Sequence, residues 1–347
     1  MPESRTAPPE TSDVGAAGSA FRSTEGSNSG SFTPLDWGLL LASAGIWSGS
    51  FAFIAIGLES FTPAQVAFGR IFFGLCATAL IPGALTKVDR ADWPRVAAVG
   101  VFWMAAPLSL FPIAEQWIDS SAAGMLNAGM PLGTVMLSWL FLRRGPYRHE
   151  LWGVVVGFVG VGLVVGPTAT GEGENQLLGV ICCLVAVLCY ALAAHLNVPL
   201  VQRYGSPAVL LRALATAAVL TFPFAVFGIR HASPTLRSVG AIVLLGAAGT
   251  GVAYAMAAHL ISRVGAIRGS VITYVIPPLS VLWGVLFFSD KVSGLALVGT
   301  AIILLGAWIT GRTGRTADEV APSAEPDGLA SSVGHDHSEA AMKGEIL

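Results

Sequence analysis

Few charged side chains lie inside the apolar stretches of this sequence, and those few define the chemistry open to it. Arg70, in AQVAFGRIFF, and Arg212, in AVLLRALATA, each have apolar residues on both sides. An arginine at the centre of a helix in lipid costs about 2.5–3.5 kcal/mol on insertion scales, so it needs a partner or a task. Arg70 can hold an anionic group such as a carboxylate, or bond carbonyls freed in a neighbouring helix. The structural alternative is an arginine tied to another helix or reaching the interface with its head. That alternative is the reading adopted for Arg212.

Two histidines, His195 and His259, titrate near neutral pH and are candidates for moving protons, with helix bonding or an interfacial place as the alternative. No Asp or Glu is expected deep in any apolar stretch, so a carboxylate proton relay lacks its parts. Trp47, Trp103, Tyr190, Tyr254 and Tyr274 offer rings on which an organic solute can pack, and Asn127 and Thr273 offer hydrogen bonds. Packing between helices is the competing account of each. Pro131 and Pro277 remove an N–H from a helix and free a carbonyl, which makes them candidate hinges or polar backbone along a pathway. The four cysteines, Cys76, Cys182, Cys183 and Cys189, all fall in apolar stretches and imply neither a disulfide frame nor a zinc site. His335, Asp336 and His337 read as solvated polar residues. We expect no cofactor, no resident metal and no catalytic residue.

These residues need elements to hold them, and the composition says which. Of 347 residues 12% are charged and 54% hydrophobic, where a soluble chain carries about a quarter charged. The mean hydropathy is +0.69. An all-α integral membrane protein is the class that fits. No basic patch with interleaved aromatics occurs, which sets nucleic-acid binding aside. Ten apolar segments are each about long enough to span a bilayer: 36–57, 63–83, 95–115, 121–142, 150–166, 177–199, 206–228, 238–260, 267–288 and 293–311. Residues 1–35 and 312–347 have the polar, low-complexity composition of disordered tails.

The hairpin of segments four and five returns 146 residues later as segments nine and ten. Pro131 matches Pro277, Val135 matches Val281, Phe141 matches Phe287, Gly153 matches Gly299 and Gly160 matches Gly306. The chain therefore reads as a doubled unit, 36–166 and 177–311. Five segments separate each residue from its mate, and five is odd, so the halves lie in the bilayer with opposite orientation. Lys and Arg gather in alternate loops, at Lys87, Arg90 and Arg95, at Arg143, Arg144 and Arg148, at Arg203, at Arg263 and Arg268, and at Arg312 and Arg315. The other loops carry Arg230, Arg237 and Lys291 with Glu59, Glu115, Asp119, Glu172 and Glu174. This bias places both termini in the cytoplasm. Inverted repeats that meet at the midplane are a recurrent design of secondary transporters, because the halves can exchange conformations.

The stretch Ile46–Phe73, IWSGSFAFIAIGLESFTPAQVAFGRIFF, resembles the first two helices of the EamA domain of the drug/metabolite transporter superfamily, with Trp47, Pro63 and Arg70 at its marked positions. Pro131, Pro277, Gly153, Gly160, Gly299 and Gly306 match that domain's pattern, and the resemblance runs from about 36 to 311 as two domains in tandem. The acid often found after the ninth helix is kept as Asp290, while Arg144 stands at the first-half position. The Trp-Gly pair of helix one is stretched to Trp47, Ser48, Gly49. The resemblance implies a ten-helix carrier, often an exporter of amino acids, other metabolites or toxic compounds.

The expectation is thus ten transmembrane helices in two inverted five-helix repeats, in a cytoplasmic membrane, moving a small organic solute, with a homodimer left open. One intramembrane arginine, several aromatics and no deep acid point to an anionic, zwitterionic or neutral solute. An intramembrane enzyme on a lipid-linked substrate is the rival of a different class, although no metal cluster, paired carboxylates or nucleophile with a base is evident. A nontransporting assembly or sensor protein on the same fold is the other rival.

Overall fold

Two Phe-Thr-Pro triplets start the first two helices. In each, the threonine caps the helix, the proline occupies its first turn, and a side chain three residues on closes a capping box: Thr33 with Asp36, and Thr62 with Gln65. In this computed structural model the described residues are 31–142, 148–169, 175–227, 233–264 and 272–310. The bulk of both tails, the basic residues Arg143, Arg144, Arg230, Arg268, Arg312 and Arg315, the acids Glu172 and Glu174, and the His335–His337 cluster lie outside them.

The helices are α1 Pro34–Leu58 and α2 Pro63–Ala79, then α3 Trp93–Val99 and α4 Ala106–Ala114, joined by a π-helical turn Gly100–Ala105. They continue as α5 Ser120–Asn127, α6 Met130–Leu142, α7 Arg148–Ala169, α8 Gln176–Tyr204 and α9 Ser206–Phe227. A second π turn, Ala247–Val252, joins α10 Leu236–Gly246 to α11 Ala253–Val264, and α12 Ile272–Phe288 and α13 Gly294–Thr310 complete the set. Five continuous runs, Pro34–Leu58, Arg90–Ala114, Gln176–Tyr204, Ser206–Phe227 and Leu236–Ile261, are long and apolar enough to cross a membrane. Shorter apolar helices occupy Leu151–Val164, Ile272–Phe287 and Gly294–Ile309. Large apolar side chains such as Val219, Phe224 and Phe227 are exposed, as they are on a surface solvated by lipid.

The segment expected to run unbroken over 121–142 is interrupted at Ala128 and Gly129. Pro131 has no N–H to give, and the chain turns there, with Gly129 N bonding the Leu126 carbonyl. Its counterparts Pro277 and Pro278 lie within the continuous α12. The two π turns begin at Gly100 and Ala247, one residue off the 146-residue offset read from the sequence.

Lipid supplies no hydrophobic drive between helices, so close contact and hydrogen bonds must hold them. α7 and α13 meet backbone to backbone: a methyl on Gly160 would lie 2.6 Å from the Gly299 carbonyl oxygen, and one on Gly306 would lie 2.6 Å from that of Gly153. The glycines matched in the sequence repeat thus pack on one another. α1 packs on α12, α10 and α11, α2 on α9, α10 and the second π turn, and α4 on α8.

Polar latches close the bundle ends. The Asp290 carboxylate accepts from Ser120 Oγ and Ser121 N, both at 3.1 Å, and so caps α5 from outside, where the N-cap residue Asp119 makes no cap bond of its own. Arg263 Nε donates to buried Asp36 at 2.6 Å, joining α11 to the start of α1. Arg203, at the end of α8, pairs with Asp89 and Asp92, and Tyr204 Oη donates to Asp92 at 2.6 Å.

Two outcomes follow from this packing. Gly160→Leu separates α7 from α13 and destabilises the fold by about 1–3 kcal/mol, whereas Gly162→Ala, with nothing within 4 Å of the added methyl, is neutral; thermal unfolding of both in detergent separates them. Asp290→Ala removes the borrowed cap at a cost of about 1 kcal/mol, Asp290→Asn recovers most of it, and the same melting experiment reads both.

Candidate functional site

The site grows from one close helix contact. α2 carries Gly74 and α10 ends in Gly246, and neither position has room for a side chain. A methyl on Gly246 would lie 2.6 Å from the Arg70 carbonyl oxygen, and one on Gly74 would lie 2.8 Å from Thr250 Cγ2. This approach brings Arg70, 6% exposed, within 3.2 Å of Thr250, to whose Oγ1 its Nε donates. The terminal nitrogens of Arg70 bond nothing among the described residues.

The π turn that carries Thr250 supplies more than a hydroxyl. One extra residue in the turn redirects carbonyls that an α-helix would consume. Thr250 Oγ1 donates five residues back, to the Leu245 carbonyl at 3.5 Å, and the Gly249 carbonyl accepts from Trp47 Nε1 at 3.0 Å. Trp47 stands edge-on to Tyr254, with ring centroids 5.0 Å apart. Trp103, from the other π turn, stands edge-on to the opposite side at 5.2 Å. Trp47, Trp103 and Tyr254 thus come together from three separate stretches of chain, and Arg70 meets the second π turn through Thr250.

The charge of Arg70 acts on Tyr190, Tyr254 and Glu115. Tyr190 lies on Phe111, with centroids 6.1 Å apart. Glu115 is the residue that the sequence reading misplaced. Counted there as a loop marker, it closes α4 with its N–H on the Phe111 carbonyl at 2.9 Å, and both carboxylate oxygens are buried with no hydrogen-bond partner. The signal was its register: it lies four and seven residues after the buried Phe111 and Leu108, on the inward face of the helix. The expectation was that no acid lies deep in an apolar stretch; Glu115 ends its stretch, 95–115, yet its carboxylate oxygens are enclosed.

The other sequence candidates lie elsewhere. The Oδ1 of Asn127 is buried without a partner at the break between α5 and α6. Thr273 is in the first turn of α12, and Tyr274 packs against the largest apolar cluster. His195 Nε2 bonds the Thr134 carbonyl at 3.0 Å, and His259 has a partner of its own. Arg212 bonds the carbonyls of Ala84 and Ala208 through Nη1, pinning the turn after α2 to α9. Polar contacts that the sequence did not single out join α1 to α12, where Trp283 Nε1 donates to Ser48 Oγ at 3.0 Å. No group of three metal-binding side chains occurs among the described residues. An apolar groove of about 420 Å³, lined by Phe61, Phe68, Phe73, Phe222 and Val239, takes in none of these charged groups.

Comparison with known proteins gives this geometry its setting. Residues 37–166 and 177–312 each match the EamA-like transporter family. An uncharacterized transporter of Archaeoglobus fulgidus is 23% identical over 80% of this chain and 98% of its own length. A protein of Streptantibioticus cattleyicolor described as a probable terminal-alkyne amino-acid exporter is 23% identical over 80% of this chain and 93% of its own. The uncharacterized inner membrane transporter YedA of Escherichia coli K12 is 24% identical over 77% and 88%. A solved crystal structure shares the fold, with a TM-score of 0.56 at 16% identity over 78% of this chain and 94% of that one. With two matched stretches that together span most of its length, this chain is a multi-pass membrane protein that belongs to the EamA-like transporter family.

Proposed function

We propose that the protein is a secondary or facilitative carrier of small organic solutes, exporting them across the cytoplasmic membrane by alternating access of two inverted five-helix repeats, 36–166 and 177–311. The observation that carries the reading is Arg70, a buried guanidinium bonded through Nε alone, with its terminal nitrogens free to take an anionic group. Trp47, Trp103 and Tyr254 form an aromatic cluster tied to the same π turn as Arg70, a surface for the organic part of a solute. Tyr190 joins them on the Phe111 side.

The inverted arrangement is supported by the π turns at corresponding places in the two halves and by the contact of repeat-matched glycines between α7 and α13. The alternation of basic loops along the sequence supports cytoplasmic termini. Asn127, Thr273, Tyr274 and the proline pair Pro131 and Pro277 are assigned to the pathway or its hinges, at or near the break in the fourth segment and the start of the ninth. The exporter relative supports a solute of the amino-acid kind. The protein performs no covalent chemistry on the solute, and a nontransporting role is the reading to be tested against.

Counterflow in proteoliposomes, with labelled pools of amino acids, nucleosides and hydrophobic cations, decides the matter. Wild type is expected to take up one pool saturably, and Arg70→Leu to lose at least about tenfold of that uptake at equal reconstitution, the scale of one charge-assisted bond. Arg70→Leu that moves solute at the wild-type rate removes Arg70 from the path, and a wild type that moves no pool removes the carrier.

A further inference from the structure

The acids of the described residues that are wholly or partly enclosed divide into two kinds. Asp36 has Arg263 and Thr33, Asp92 has Arg203 and Tyr204, and Asp290 has Ser120 and Ser121. Each spends its charge on holding helix ends. Glu115 alone, among the carboxylates of the described residues, has both oxygens buried and bonded to nothing. Leaving such a group unpaired is the costly arrangement that folded proteins avoid unless it serves a purpose.

Its surroundings offer it no hydrogen-bond or ion-pair partner among the described residues. The charges of Arg70, on α2, and Asp290, in the turn after α12, act on it with opposite sign, and buried Cys183 lies on α8, the helix packed against α4. Arg70 and Glu115 form no ion pair, and Arg70 turns its Nε to Thr250. Two groups of opposite charge are therefore left without an ion pair, each with bonding capacity unused. A carboxyl group so placed has two ways to be satisfied, by a proton or by a cationic group brought from outside.

We propose that Glu115 is the group at which this carrier exchanges a solute's cationic group for a proton. The inference rests on the carrier reading above and adds its coupling and one feature of its substrate, an ammonium or similar cation, with the anionic or acceptor part directed at Arg70. In the solute-free state a proton is bonded to one Glu115 oxygen. When the cation docks, that O–H bond breaks, the proton leaves to the water on the open side, and the carboxylate pairs with the cation. After the site turns to the other side and the solute leaves, the carboxylate takes a proton from that side. One proton thus travels against each solute, and Glu115 takes the part for which the sequence offered His195 and His259 as candidates.

The test uses the full chain in two settings. In proteoliposomes supplied with labelled amino acids and simple organic amines as the probe, a gradient of about one pH unit sustains a solute ratio of about tenfold when one proton is exchanged per solute. Wild type and Glu115→Asp are expected to approach that ratio, and Glu115→Gln to stay near unity. In detergent without any probe, infrared difference spectra between acid and alkaline pH are expected to show a protonated-carboxyl band that Glu115→Gln lacks. Wild-type vesicles that move the probe without response to the pH gradient, a Glu115→Gln that responds as wild type does, or a carboxyl band unchanged by the substitution each overturn the inference while the carrier reading stands. Wild-type vesicles that move no probe overturn both.

Discussion

The approach of α2 to the second π turn is the constraint on which the rest of the site depends. A guanidinium in lipid is tolerated only with a partner, and Thr250 is within reach only because Gly74 and Gly246 let two backbones come almost into contact. The widened turn that offers Thr250 also offers the Gly249 carbonyl to Trp47, so one local irregularity sets the place of both the charge and the first aromatic ring. Had that segment been regular α-helix, its carbonyls would have been spent within it.

The remaining architecture keeps that contact in register without filling the interior with charge. α7 and α13 meet through glycines at matched places, and carboxylate latches lie at the bundle ends: Asp290 on the start of α5, Asp36 with Arg263, and Asp92 with Arg203. These latches satisfy orphan N–H groups and carboxylates where water and loops are near. Arg70, bonded through Nε alone, and Glu115 and the Asn127 Oδ1, bonded to nothing, are among the groups left unsatisfied. An unpaired polar group in an interior is a candidate for binding something else.

Much of this was legible in the chain. The Phe-Thr-Pro triplets mark two helix starts because capping chemistry is local, acting over three residues. Arg70 stands out because a charge in an apolar stretch is conspicuous in one dimension. The glycines of α7 and α13 were found by repetition, since a doubled unit shows its packing residues twice. Thr250 was not found, because a threonine in an apolar segment looks like any other until a neighbouring helix presents a guanidinium to it. The matched prolines show the same limit: Pro131 follows a break and Pro277 sits in continuous helix, although their sequence signal is alike.

The sequence by itself determined the helical class, the membrane setting, the doubling and the scarcity of interior charge, since each follows from composition or from a period along the chain. Tertiary structure decided which scarce groups meet. Trp47, Arg70, Trp103 and Tyr254 lie far apart in sequence and converge through two π turns, irregularities that hydrophobic periodicity does not register. It also decided the place of Glu115, which composition assigns to a loop and helix register turns inward. Burial belongs to a whole fold, and a carboxylate one residue past the end of a helix is exposed or enclosed according to what packs beside it.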